Sequence, residues 1–373
     1  MLNGEEWPWY PNEMPAFPSS HAFNMNTKFN HQNMLGRLGV SVRFTSLVLI
    51  VASIAFCCAI VALRSLDIGT DTQAYANIFQ NIEKYGIANT RLEPGYVAFA
   101  HIVSCLGFSI IGMQALTFLL LILTIVYSAR EYWKYLGSFN SNRMFLATSL
   151  GLFFVSPMFV SASINAIRQG LASLLIFIAL LFFSRRQWWK FIFLAAIATS
   201  FHYSSVIYFV FAPILLLKQR TIQIILVSFF LFYCLGLTEE FVKSISPLVY
   251  SQVMDYKYGS LYNAGVRIDF AAFSFFWYAI TYVLAPLICK NVRDKIMVAN
   301  SIYLTMLLPF FLVGFGNYSN RLLVPAWLSA SLIIASCIYN CRIALLRHPV
   351  FLWIWLCVSC TVFYYFVTNE IIL

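Results

Sequence analysis

The sequence predicts an all-α polytopic membrane protein with about nine to eleven transmembrane helices. Three observations carry that class. Of 373 residues, 61% are hydrophobic and only 10% are charged, whereas a soluble domain carries about 25% charged residues. Residues 44–63 hold no charge, and a helix of about 20 apolar residues crosses roughly 30 Å of hydrocarbon. Further apolar runs follow over 109–129, 144–160, 165–184, 191–217, 222–237, 270–289, 297–315, 322–341 and 350–367. Soluble enzymes and nucleic-acid binders are excluded, so no nucleic-acid partner is expected.

Taken in chain order, residues 1–43 come first. They carry Pro8, Pro11, Pro15 and Pro18 and no apolar signal-like stretch, and are expected to be a disordered cytoplasmic tail. Translation from Met34 would remove most of it. The remainder, 44–373, is the transmembrane domain. With the N-terminus cytoplasmic, the 24 Lys and Arg divide sixteen to eight in favour of the cytoplasmic connections, as the positive-inside rule requires. The net charge of +10 is then a topology signal, and the C-terminus falls outside. The run 191–217 is uncharged but flanked by Arg185, Arg186 and Lys190 on one side and Lys218 and Arg220 on the other. Both ends being cytoplasmic, it must break into two short helices meeting near Ser200, Phe201 and His202, and a break at that depth needs protein or a wet cavity around it.

Two outer segments, about 64–108 and 238–269, are longer than connectors need to be. In the first, Thr70, Asp71, Thr72 and Gln73 resemble a capping box, followed by an apolar stripe of Tyr75, Ile78, Phe79 and Ile82 suited to an interfacial helix. Pro94 after Glu93 marks a second helix start. The second segment carries Tyr250, Tyr256, Tyr258 and Tyr262, which are either interface aromatics or platforms for sugar rings. The nine cysteines lie mostly in apolar runs, and Cys357 with Cys360 reads as packing rather than metal or redox chemistry.

Charges at the ends of spans point to a site. Arg64 closes the first span, while Arg168 and Arg321 stand at the outer N-termini of theirs. A helix N-terminus disfavours a cation and favours an anion. A bound phosphate would reverse that balance, because a guanidinium holds its oxygens in a fork; the bland alternative is an Arg snorkelling to headgroups. The outer carboxylates are Asp67, Asp71 and Glu93. Asp67 reads as solvated, and Asp71 and Glu93 are either helix caps or acid–base groups. His202 is either a satisfied structural histidine or a proton carrier at a cavity. No DxD pair, phosphate-cradling glycine loop, HExxH or GxSxG is present, and no metal or cofactor is expected.

These residues resemble the EpsG-type polysaccharide polymerases, the group that includes many Wzy O-antigen and capsule polymerases. The matching stretches are Arg64 to Gly69-Thr70-Asp71 and Tyr75, Glu93-Pro94-Gly95-Tyr96, Asn165 to Arg168-Gln169 and Ala172, His202 to Ser204, and Asn317 to Arg321. The resemblance implies a GT-C-like enzyme of the bacterial inner membrane working on the periplasmic face without metal or nucleotide sugar. It implies transfer of a growing glycan from undecaprenyl pyrophosphate to a new lipid-linked repeat unit. On that basis Arg168, Arg321 and Arg64 are expected to hold pyrophosphates. His202 or Glu93 is the expected base, with Asp71 and Tyr75 orienting the acceptor and Asn165 and Gln169 near the glycan. Membrane lipids and a chain-length regulator are the expected partners. A lipid-linked oligosaccharide flippase and a membrane acyltransferase are the competing readings.

Overall fold

The computed structural model describes residues 25–87, 92–138, 141–254, 265–316 and 319–371, with side chains from residue 41 onward. The chain divides into two compact units, Met1–Phe44 and Thr45–Leu373. Helix α1 (Met25–Ala62) begins inside the stretch read as a disordered tail. The last tail proline is Pro18, so no proline interrupts a helix propagating back from the first span. Residues 1–24, and with them most of the segment that a Met34 start would remove, lie outside the described residues, as do Arg91, Asn317, Tyr256, Tyr258 and Tyr262.

All regular structure among the described residues is helical. After α1 come α2 (Thr72–Tyr85), α3 (Pro94–Cys105), α4 (Ile110–Leu136), α5 (Asn142–Phe154), α6 (Pro157–Ile164), α7 (Ile167–Ser184) and α8 (Trp188–Phe201). The second half holds α9 (Val206–Val210), α10 (Gln219–Cys234), α11 (Leu237–Ile245), α12 (Pro247–Met254), α13 (Ile268–Leu284), α14 (Lys290–Val313), α15 (Val324–Tyr339) and α16 (Pro349–Thr368). Six described helices are long and apolar enough to cross a membrane, or up to eight if each of two bent pairs is one span. The expected nine to eleven is reached only by counting the shorter apolar helices as well.

Of two bent pairs, one departs from the straight run expected at 144–160, while the other turns at the end of the run 222–237. Helices α5 and α6 meet at 81° and α10 and α11 at 89°. Pro157 cannot donate a backbone hydrogen bond, so a helix restarts there. Gly236 takes φ +73, a left-handed turn that a Cβ would strain. The break expected within 191–217 falls at His202, which is extended (φ −155, ψ 111) between α8 and a 3₁₀ turn over Tyr203–Ser205.

Helix α7 is the axis of the bundle. It packs on α4, α6, α8, α14 and α15, and 89% of it is buried, against 28% of the first span. Lipid tails are as apolar as Leu, so close packing and buried hydrogen bonds hold such helices together. Tyr132 bonds Ser336 at 3.1 Å, Ser138 donates to Asn340 at 2.9 Å, and Trp327 donates to Ser274 at 2.8 Å. The outer helices α1, α13 and α16 leave most of their length facing outward. At one end of α7, α2, α3 and the α8 break converge.

Candidate functional site

The α6–α7 junction organises this end. Asn165 leaves helical geometry there (φ −122, ψ −70), and its Oδ1 accepts from the Thr70 hydroxyl at 2.7 Å and the Asp71 amide at 2.9 Å. Thr72 donates to the Ile164 carbonyl at 2.9 Å. These bonds pin the start of α2 to the start of α7. Asp71 is the N-cap residue of α2, but its side chain makes no capping bond; the expected capping box does not form. Its carboxylate instead reaches Arg321 at 3.7 Å. The stripe on α2 also faces inward rather than toward lipid: Phe79 and Ile82 are buried, and Tyr75 and Ile78 pack against the core.

Glu93 precedes Pro94 at the start of α3 and likewise makes no capping bond. It is 5% exposed, so its charge needs partners. Oε2 is paired with the Arg168 guanidinium. Oε1 accepts from His202 Nδ1 at 3.0 Å and from the Tyr203 amide at 3.4 Å. Burial alone would raise the Glu93 pKa. The hydrogen bond with His202, a backbone hydrogen bond and Arg168 outweigh it and hold the group at about 2. Gly95 lets α3 come this close to α8, since a Cβ there would stand 2.7 Å from the Ser200 carbonyl oxygen. Arg168 also donates from Nε to the Tyr75 hydroxyl at 3.2 Å, and the Tyr75 ring packs on Tyr96 at 5.5 Å.

An ionised Glu93 only accepts hydrogen bonds, so His202 Nδ1 carries the proton in that contact. In the neutral ring Nε2 is then the acceptor. Of the two groups expected as base, Glu93 is held far below neutrality as a fixed anion.

A cavity of about 330 Å³ opens beside this cluster, lined by His202, Ser204, Gln252, Val253, Val313, Gly316, Ser319, Arg321 and Leu322. Arg321 is 46% and Asp71 39% exposed along their side chains, and an ion pair so exposed contributes only about 0–1 kcal/mol. Gln169 is 4% exposed and donates to the Arg321 carbonyl, fixing the turn that carries this arginine.

The structure thus brings Asp71, Tyr75, Glu93, Asn165, Arg168, Gln169, His202 and Arg321 to one place. Asn165 and Gln169, expected near the glycan, make scaffold contacts there. Arg64 sits elsewhere, buried against a small pocket with Tyr75, Tyr96, Phe79 and Gln114 and donating to the Val61 carbonyl. Burial lowers its pKa to about 10, which leaves it charged. Asp67 is exposed and bonded to Ser65 at 3.0 Å. No three His, Cys, Asp or Glu side chains come together as a metal set among the described residues. Gln252 and Val253 were invisible in the sequence, being on a short helix with no motif. Ser204 and Ser319 lie inside stretches already singled out there.

Fold and site together define a multi-pass membrane protein with a polar, carboxylate-braced histidine beside an arginine-lined cavity at one end of its buried axial helix. The EpsG family model matches residues 47–372. The chain belongs to the EpsG family, a family of polysaccharide-polymerase type. No curated protein and no solved structure matches it.

Proposed function

We propose that this protein is a membrane glycosyltransferase that polymerises lipid-linked oligosaccharide repeat units into O-antigen or capsular polysaccharide. In this reading it works on the periplasmic face of a bacterial inner membrane, with undecaprenyl-pyrophosphate-linked glycans as donor and acceptor. The observation that carries it is the Arg168–Glu93–His202 chain ending at a cavity that Arg321 also lines.

In the reaction, the acceptor sugar hydroxyl gives its proton to His202 Nε2, and its oxygen forms the new bond to the donor's anomeric carbon. The bond from that carbon to the pyrophosphate oxygen breaks, and its electron pair leaves with the lipid pyrophosphate. Glu93 orients the imidazole and stabilises its cationic form, as a carboxylate does for a general-base histidine. Arg321 exchanges Asp71 for the departing phosphate oxygens, where preorganised positive charge has its greatest effect. Arg168 holds Glu93 in place and adds charge from behind. Tyr75 keeps Arg168 in register, and Arg64, behind Tyr75 and Tyr96, stays outside the phosphate contact.

The test is deletion in the native host, with complementation by wild type, His202→Ala and Arg321→Ala at matched membrane levels. Polymer should collapse to single repeat units and return only with wild type. A polymer ladder unchanged by deletion would overturn the reading. Loss of the single-unit product would point instead to a flippase, and loss of acyl groups at constant chain length to an acyltransferase.

A further inference from the structure

Helix α10 exposes Leu231, Phe232 and Leu235 near its end. In a chain that spans a membrane, such a surface faces lipid. Helix α11 then turns 89° away across Gly236. The elbow is held from inside, where the Tyr233 hydroxyl donates to the Gly314 carbonyl and accepts from the Arg267 amide, both at 2.9 Å.

The residues of α11 fall on three stripes. Thr238 is buried and Val242 half-buried, on the side where α11 packs on α12 and α14. Leu237, Phe241 and Ile245, each one turn from the last, are 49%, 57% and 66% exposed. Glu240, Lys243 and Ser244 form a third, polar and exposed stripe. Protein on one side, apolar side chains on the second and charge on the third is an arrangement that neither bulk water nor the hydrocarbon core satisfies. The boundary between acyl chains and headgroups satisfies all three. The apolar stripe is also continuous with the outward-facing end of α10 and with Leu248 of α12, 68% exposed.

We propose that α11 lies in the plane of the bilayer surface as an anchor, with Leu237, Phe241 and Ile245 among the acyl chains and Glu240, Lys243 and Ser244 among the headgroups. Its inner contacts couple this depth to the cavity. Tyr250 of α12 donates to Glu239 at 3.4 Å and stacks on Phe315 at 5.9 Å, and the same short helix contributes Gln252 and Val253 to the cavity wall. The anchor stands whether or not the protein is a polymerase.

The full-length protein in phosphatidylcholine–phosphatidylglycerol nanodiscs, carrying p-benzoylphenylalanine in place of Phe241, Ile245 or Glu240, tests it by irradiation and intact-mass spectrometry. Positions 241 and 245 should gain the mass of one phospholipid several-fold more often than position 240. Equal labelling at all three positions would overturn the proposal, and so would adducts from position 241 to polypeptide instead of lipid. Should either of those variants fail to fold, Leu237 replaced in the same way gives the same reading from the same stripe.

Discussion

The two walls of the cavity are fastened differently. The wall at His202 and Ser204 is backed by α2, α3 and α7, tied by side-chain bonds between segments far apart in sequence: Thr70 to Asn165, Thr72 to Ile164, Glu93 to Arg168 and His202. The opposite wall, from α12, Val313 and Gly316, rests on aromatic stacking, a tyrosine-to-backbone bond and the bend at Gly236. Every polar group to which the proposed chemistry gives a proton or a counter-charge hangs from the first wall or from the turn that Gln169 clamps to it. The second wall offers Gln252 and Val253, side chains that can vary without disturbing the charge network. In the proposed function, the first wall performs the reaction and the second fits the sugar.

Breaking the first wall should therefore have the larger effects. His202→Ala should lower polymerisation by about 10²–10⁴-fold, the usual contribution of a general base, measured with purified protein and lipid-linked substrate. A loss below tenfold would remove His202 from the chemistry. Arg321→Ala comes next, with about 10²–10³-fold lost from the rate, as for removal of one donor to a developing anion. Asp71→Asn should do far less, because its pair with Arg321 is exposed.

Acid unfolding sharpens the same contrast through Glu93. Its folded pKa of about 2 lies below the ordinary 4.5, so its stabilisation is complete above about pH 4.5 and is lost as pH falls toward 2. The shift corresponds to about 3 kcal/mol. Unfolding in detergent followed against pH should show this loss in wild type and a smaller one in that window for Glu93→Gln. Gly95→Val, which pushes α3 away from Ser200, should destabilise by about 1–3 kcal/mol as an overpacked contact, read as a lowered Tm. Gln252→Ala, on the second wall, should change the rate by less than about tenfold while altering which repeat units are accepted, tested by competition between two lipid-linked substrates.

Much of this was legible in the sequence where a local rule applied. The break at His202 followed from basic residues at both ends of an uncharged run, and the starts of α2 and α3 from the Thr70–Gln73 stretch and Pro94. What escaped was pairing over distance. Glu93 and His202 are 109 residues apart, and no periodicity reports that α3 crosses α8 at Gly95. Local grammar also misled at Asp71, where capping chemistry was present but Arg321 offered a charged partner across the fold. Arg64 shows a further limit: its place at the end of the first span was plain, but its depth behind Tyr75 and Tyr96 depends on packing. The bend at Pro157 was written in a single residue that averaging over an apolar run conceals.

The sharing of Glu93 between two cations has a consequence for electrical balance through a turnover. With a neutral imidazole, Arg168, Glu93 and His202 together sum to zero, as do Asp71 and Arg321. In the proposed reaction, uptake of one proton at His202 converts the first group to a net cation at the moment a departing diphosphate gathers negative charge. Release of that proton returns the pocket to neutrality, and the electrostatic grip on the product relaxes with it. In the proposed reaction, these five groups with His202 in its neutral form carry no net charge and attract anions only weakly.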